Sequence, residues 1–283
     1  MNKKQSVALS SVFASFALTV LKLIVGLATG SMGILSEAAH SLLDLGAATL
    51  TFFAVKVGDK EADERHHYGH QKVESVSALI ETGLLFLTSI WIIYEAIKRL
   101  RTGETEIEVT WYAFAVMIFS IVIDYSRSRA LSKVAKETKS QALEADALHF
   151  SSDIYSSLTV IAGLVFVSFG VGKADAIAAI GVSFFVMHAG YVLGRRTLDT
   201  LVDATPDGSS QKINHIAKQV TGVISVKKLR VRAVGNLTFI DMTITVNSDM
   251  TVGNAHKICD EIENKIRASF PHADITIHSE PAV

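Results

Sequence analysis

Apolar residues dominate roughly the first 200 positions of the chain, in runs much longer than those of a soluble protein. A transmembrane helix needs about 20 apolar residues to cross a hydrocarbon core roughly 30 Å thick, and these runs reach that length. They lack the strict alternation of a membrane β-strand, so helices are the predicted elements. The pattern predicts six spans, at about 7–29, 32–57, 75–98, 111–131, 145–170 and 174–200.

The rest of the chain has the pattern of a small soluble domain that begins after the turn-forming triplet Pro206-Asp207-Gly208. Its helical and β-branched runs follow the order αββαβ, with a hairpin turn at Gly235-Asn236. The predicted elements are a helix at 209–220, strands at 226–234 and 238–246, a helix at 252–270 and a strand at 273–278. This order indicates an open sheet with helices on one face.

The predicted fold is therefore an α-helical membrane protein with a six-helix transmembrane transport domain at 1–204 and an α+β domain at 205–283. A domain of this size is marginally stable alone, so we expect it to pair with a copy of itself.

The charges flanking the spans predict the orientation. If both termini are cytoplasmic, thirteen Lys and Arg residues lie on the cytoplasmic side and four on the opposite side: Lys98, Arg99, Arg101 and Lys173. This asymmetry follows the positive-inside rule. The apolar run after Met1–Lys4 is longer than that of a secretory signal and no small-residue cleavage site follows it, so we expect the first span to be retained.

Composition excludes several other classes of protein. The net charge is −1 at pH 7, which does not favour nucleic acid as a partner. The chain has a single cysteine, Cys259, which excludes a disulfide framework and a thiolate-rich metal site.

Two of the predicted spans carry the same pair of polar residues at the same spacing. His40 and Asp44 in the second span, and His149 and Asp153 in the fifth, are each separated by four positions. Residues at this spacing lie on one face of a helix, about one turn apart. Two such helices side by side can supply the two nitrogens and two oxygens that a tetrahedral Zn²⁺ accepts.

Carboxylates at this depth need a compensating charge, because each costs about 2.5–3.5 kcal/mol on insertion scales. A divalent cation between Asp44 and Asp153 would compensate both and would favour neutral imidazoles. The alternative is a structural polar cluster that holds the helices together by hydrogen bonds. The duplicated spacing favours the metal site.

The chain resembles the cation diffusion facilitator family over nearly its whole length. The segments that carry the resemblance are Gly30-Ser31 before the His40/Asp44 helix, Tyr68-Gly69-His70 with Lys72 and Glu74, and Ala145–His149 with Ser152-Asp153. The resemblance implies six helices, a cytoplasmic metallochaperone-like (ferredoxin-like) domain, a homodimer and proton-coupled efflux. It also implies that His40, Asp44, His149 and Asp153 form the transport site, a set typical of zinc and cadmium exporters.

The resemblance implies a second site in the loop between the second and third spans, at Asp63, His66 and His70. Three His within five residues also suit a metal-collecting loop without reference to the family. A solvated loop at the end of a helix is the alternative.

In the tail, the family's regulatory metal positions match four residues: Asp241, His256, His278 and Glu280. Lys227 and Thr243 stand where some relatives carry His, which argues against a full two-metal cluster. A solvated polar face is the alternative.

Other charged residues match the family or lie within spans. Lys72 and Asp203 match a charge pair between the membrane and cytoplasmic parts of the dimer, with ordinary surface salt bridging as the alternative. Lys22, Glu81 and Asp124 lie within spans. Asp124 could join a proton path, whereas structural or helix-end roles are the alternative for all three.

The sequence thus predicts a transporter rather than an enzyme. Its predicted activity is proton-coupled export of Zn²⁺, with Cd²⁺, Co²⁺ and Fe²⁺ as alternatives that imidazole and carboxylate ligands also suit. A membrane metal sensor or assembly scaffold is the alternative function. A metalloenzyme is disfavoured, because four protein ligands leave no open position for activated water. We expect an integral protein of the cell (inner) membrane with cytoplasmic termini, no organic cofactor and no nucleic-acid partner.

Overall fold

The computed structural model describes residues 1–30, 32–102, 111–168 and 174–282. Ser31, Lys173 and positions 169–170 of the predicted fifth span lie outside the described residues. The chain divides into two compact units, one from Met1 to Leu198 and one from Asp199 onward.

The first unit is built from six long helices. They are α1 (Lys3–Thr29), α2 (Met32–Gly58), α3 (Lys72–Thr102), α4 (Trp111–Thr138), α5 (Gln141–Ser168) and α6 (Ala174–Leu201). The Asn2 side chain caps the start of α1 by accepting a hydrogen bond from the Gln5 amide at 2.9 Å. Gly30 ends this helix in the left-handed conformation, with φ 68°.

Helices α4 and α5 extend beyond the apolar segments from which they were predicted. α4 continues past residue 131 to Thr138, and α5 begins at Gln141 rather than near residue 145. Leu131, Val134 and Ala135 explain the extension, since they are buried in a cluster that also contains α5 side chains. A connection of two residues, with Lys139 at φ 54°, joins the helices as antiparallel neighbours.

Hydropathy distinguishes the helices. Among the described residues, α1, α2 from Glu37, α3 and α6 from Ala176 are long and apolar enough to cross a membrane, whereas α4 and α5 do not meet that criterion. Several large apolar side chains are more than half exposed, among them Phe13, Ile24, Leu87 and Phe184. Since a soluble protein avoids large exposed apolar patches, these residues mark a lipid-facing surface, and the unit is a helical transmembrane domain.

Close packing of the helices holds α2 and α5 in place. α1 and α2 form a tight hairpin in which Gly26 lies against Leu35. A Cβ at position 26 would lie 2.8 Å from Leu35 Cδ2 and 3.2 Å from the Leu35 backbone nitrogen, which is too close for a larger residue. α5 packs against α2, α3 and α4. One buried cluster joins α1, α2, α4 and α5 through residues that include Ala8, Val55, Leu131, Leu143 and Phe150. The two helices with the His and Asp pairs are therefore neighbours inside the bundle.

The second unit has the predicted αββαβ order. Its elements are α7 (Ser209–Lys218), β1 (Ser225–Val234), β2 (Leu237–Val246), α8 (Val252–Ser269) and β3 (Ala273–Pro281). The sheet order is β1-β2-β3, with an antiparallel first pair and a parallel second pair. Gly235, at φ 60°, occupies the tight hairpin between β1 and β2.

Both short helices pack on the apolar side of this sheet. Ile213 of α7 and Ile262 of α8 are fully buried in one cluster with Ile240 and Ile244 of β2. Asp241 alternates with these strand residues and is exposed. The sheet thus has one covered apolar face and one face that carries Asp241.

Candidate metal centre

The two His–Asp pairs meet between α2 and α5. His149 Nε2 lies 3.0 Å from Asp44 Oδ1, and His40 Nε2 lies 3.6 Å from Asp153 Oδ1. Within each helix the His to Asp distance is 3.8 Å. The contacts between the helices are therefore the shorter ones. Ligand atoms of His40, Asp44 and Asp153 all lie within 4.8 Å of one another.

These distances are close to those of a tetrahedral zinc site. With bonds of about 2.0–2.1 Å, neighbouring ligand atoms around tetrahedral Zn²⁺ are roughly 3.3–3.4 Å apart. The four nitrogen-to-oxygen distances, from 3.0 to 3.8 Å, bracket that value. Ligand atoms of three of the four residues, His40, Asp44 and Asp153, already form a group within 4.8 Å, and His149 contacts two of those three.

A cavity of about 50 Å³ is lined by His40, Asp44 and Asp153, and further charged side chains border it. Lys22 of α1 is 6% exposed, donates to Ser41 Oγ at 2.8 Å and lies 3.2 Å from Glu37 Oε2. Asp124 of α4 is also buried and lines the same cavity. A fixed ammonium and a third buried carboxylate thus accompany the His–Asp pairs.

Two further acidic groups, Asp146 of α5 and Glu81 of α3, are buried inside the bundle. Among the described residues, His149 Nδ1 and both carboxylate oxygens of Asp146 are buried without a hydrogen-bond partner. Glu81 of α3 is fully buried and accepts hydrogen bonds from Thr51 and Ser77. Glu81 is therefore not a helix-end charge; it is a mid-helix group held by hydroxyls.

The loop between α2 and α3 forms the second cluster that was predicted. His66 Nδ1 lies 3.2 Å from Asp63 Oδ1, and His70 Nε2 lies 3.3 Å from Asp63 Oδ2. The other ring nitrogen of His70 contacts the Glu61 carbonyl oxygen at 3.2 Å, which orients Nε2 toward Asp63. His67 instead contacts the Glu64 carbonyl oxygen at 3.0 Å.

Local backbone geometry keeps the Asp63 carboxyl ionised. Its Oδ1 accepts hydrogen bonds from the amides of His66 at 2.7 Å and Arg65 at 2.9 Å. These bonds stabilise the charged form and hold the pKa of Asp63 below its usual range. The loop therefore presents one carboxylate and two imidazoles within 4.8 Å, a set of three ligand atoms for a cation.

Comparison with known proteins identifies the family. The model of the cation efflux transmembrane domain matches residues 8–202, and that of the cation efflux protein, cytoplasmic domain, matches residues 205–282. The chain belongs to the cation efflux family. The resemblance to cation diffusion facilitators is thereby confirmed.

Curated relatives that match along most of their length are cation-efflux pumps. The cation-efflux pump FieF of Yersinia enterocolitica is 29% identical over 280 residues, covering 98% of this chain and 92% of the relative. FieF of Yersinia pestis (strain Pestoides F) gives the same values. Members of the family are transporters rather than enzymes, and membership makes this chain an integral membrane protein of divalent metal efflux.

Two solved structures are similar in sequence to about a quarter of the chain. A MamM CTD variant in its nickel form is 28% identical, covers 26% of this chain and 94% of that chain, and has a TM-score of 0.25. A second MamM CTD variant is 30% identical, with 26% and 92% coverage and the same TM-score. The family match at 205–282 supports a homodimer through this unit.

The four ligands predicted in the second unit do not lie close together within one chain. Asp241 pairs with Arg230 at 3.6 Å, and His278 Nε2 lies 4.0 Å from Glu280 Oε1. His256 lies on α8 and contacts Asp260 at 3.7 Å. In the part of the chain that the structure describes, these residues form no group of three ligand atoms within 4.8 Å.

Two departures from the family pattern affect that unit. Lys227 and Thr243 are directly opposite each other on β1 and β2, and Lys227 Nζ lies 3.8 Å from Glu280 Oε2. A fixed positive charge beside Glu280 opposes a cation there.

Asp203 belongs to the predicted charge pair with Lys72. Its carboxylate lies 3.3 Å from Arg232 of the same unit.

Sequence reasoning missed an ion-pair network at the helix ends near the α2–α3 loop. Lys4 of α1 pairs with Asp59 after α2 and, at 2.7 Å, with Glu74 of α3. Ser140, which precedes α5, donates to the other oxygen of Glu74. Glu74 was part of the family resemblance, but partners 66 and 70 residues away leave no local signal.

Proposed function

We propose that the chain exports a divalent transition-metal cation, principally Zn²⁺, from the cytoplasm in exchange for protons. The transport site in this proposal consists of His40, Asp44, His149 and Asp153. The supporting observation is the meeting of two His–Asp pairs from separate helices at 3.0–3.8 Å. Cd²⁺, Co²⁺ and Fe²⁺ accept the same ligand types and are the competing substrates.

Proton exchange follows from the chemistry of the ligands. Imidazole binds a metal only as the neutral base and carboxylate only as the anion, so loading displaces protons. Protonation of the same four groups would expel the cation. The ligands themselves thereby couple metal export to proton uptake.

The proposed assembly is a homodimer with six spans per chain and both termini in the cytoplasm of the cell (inner) membrane. The charge asymmetry of the flanking segments supports this orientation. The loop cluster at Asp63, His66 and His70 would collect metal on the cytoplasmic side.

The second unit would act as a metal sensor in the cytoplasm. Its proposed ligands, shared across the dimer, are Asp241, His256, His278 and Glu280. Lys72 and Asp203 would form its charge contact to the membrane part.

Proteoliposomes that contain a pH-sensitive dye test this function. Added Zn²⁺ should drive proton movement with the wild-type protein, and Asp153→Ala should abolish it. Glu144→Gln is the matched control, because Glu144 is an acidic residue of the same helix that pairs with Arg196 instead. Metal binding without flux in the wild type would refute export and favour a sensor or scaffold.

A further inference from the structure

A second and larger cavity lies at the opposite end of the bundle from the α2–α3 loop. Its volume is about 300 Å³, and it is bordered by the start of α2, the end of α3, the middle of α5 and the start of α6. The polar residues in its lining are Glu37, Ser89, Glu95, Ser152, Ser156, Thr159 and Ser183. In the proposed orientation this is the side on which the cation leaves.

The cavity adjoins the smaller cavity beside the His–Asp pairs. Glu37 and Ser156 line both cavities. Glu37 lies one helical turn before His40, and its carboxylate is paired with Lys22 at 3.2 Å. A cation that leaves His40 in this direction therefore meets the Glu37 carboxylate next.

The lining has the chemistry of a site for a hydrated cation. Glu37 and Glu95 supply carboxylates, while serine and threonine supply hydroxyls. Ser183 is 3% exposed, and its Oγ has no hydrogen-bond partner among the residues that the structure describes. A buried hydroxyl of this kind costs free energy unless water or a ligand satisfies it. Oxygen ligands with retained waters suit hard divalent cations and bind transition metals more weakly than imidazole does.

We propose that this cavity is a release-side subsite for a hydrated divalent cation, held by Glu37 and Glu95 with hydroxyl support from Ser183. The direction of passage rests on the proposed export function, whereas binding at the subsite does not. Lys22 neutralises Glu37 when the subsite is empty, and the arriving cation replaces that ammonium. The weaker oxygen ligands then allow the cation to leave.

Terbium luminescence tests the subsite directly. Trp91 lines the cavity and Trp111 is the second of the two tryptophans, so a Trp111→Phe background leaves Trp91 as the only indole sensitiser. Tb³⁺, a cation that prefers oxygen ligands, should give saturable Trp91-sensitised emission in nanodiscs. Zn²⁺ and Mn²⁺ should quench it by competition.

Matched variants decide between this cavity and other sites. Glu37→Gln and Glu95→Gln should each weaken terbium binding about ten-fold or more, since affinity follows the number of charged ligands. Asp153→Asn and Glu144→Gln should leave it unchanged. Glu95→Asp should keep part of the affinity, which separates ligand loss from misfolding.

Three results would overturn the subsite: no sensitised emission, emission that survives both glutamate replacements, or emission lost in Asp153→Asn. Flux measured on the same preparations keeps the two proposals apart. If the wild-type protein binds terbium but shows no metal flux, the export proposal is refuted and the subsite proposal stands. If it shows metal flux but no terbium binding, the subsite proposal is refuted and the export proposal stands.

Discussion

Asp44→Asn is the sharpest test of the four-ligand site, because Asp44 Oδ1 contacts both imidazoles, at 3.0 Å and 3.8 Å. Asparagine preserves the shape of the side chain and can still accept a hydrogen bond. It removes one negative charge and one strong ligand, however. A structural polar cluster would tolerate this change, whereas a metal site would not.

The size of the effect follows from ligand energetics. Replacing a residue that only supports a metal ligand typically weakens affinity 10- to 100-fold, so losing a direct ligand should weaken it about 100-fold or more. This corresponds to about 2.7 kcal/mol. Zinc at 100 times the wild-type Kd stabilises the folded protein by about 2.7 kcal/mol, which should fall to about 0.4 kcal/mol in the variant.

The assay is competition with a chromophoric zinc chelator, together with thermal unfolding with and without zinc. Both belong in a background in which the loop ligands Asp63, His66 and His70 are replaced by Ala, so that the loop cluster does not contribute. Glu144→Gln serves as control, because its partner is Arg196 and not an imidazole. If Asp44→Asn binds zinc within about three-fold of the parent, the four-ligand site is refuted.

Two further predictions concern groups outside the spans. Metal binding by the loop should weaken in acid, because protons compete with the metal for its ligands. The His66 and Arg65 amides lower the pKa of Asp63, so the contribution of this carboxylate should be lost only below the usual range of an aspartate. Isothermal titration of the Asp44→Asn variant checks this, and a pH-independent loop affinity would contradict it. The Cys259 thiol is 6% exposed, and its burial raises its pKa. A maleimide should therefore label Cys259 at least ten-fold more slowly in the native protein than after denaturation. Mass spectrometry measures the two labelling rates. Rapid native labelling would mean that α8 does not pack as described.

The sequence located the His–Asp centre because its signal is local. Four-residue spacing fixes His40 with Asp44 and His149 with Asp153 on helix faces before any tertiary contact is known. The αββαβ order was equally accessible, since alternation in Thr238–Val246 and the Gly235-Asn236 turn are short-range features. The predicted spans described only the apolar parts of their helices, so the polar end of α4 was missed.

What depends on distant contacts was not predictable. Nothing near Glu81 indicates that the hydroxyl of Thr51, 30 residues away on α2, donates to its carboxylate inside the bundle. Lys22 was recognised as an intramembrane charge, but its partners Glu37 and Ser41 come from another helix. The residues predicted as ligands in the second unit show the opposite case. The family pattern groups them at one site, whereas a single chain holds them apart on α8 and two strands.

The arrangement of the four residues in the proposed transport site has a consequence for how abruptly that site would release a cation. Each of the two helices contributes one nitrogen and one oxygen, and the shortest contacts run between the helices. Sliding α5 along α2 by a single turn, about 5.4 Å, would separate both cross-helix pairs at the same moment. The affinity for the cation would then drop in one step rather than by successive loss of ligands. A partly shifted bundle would therefore hold no weakly bound ion that could return to the side from which it came.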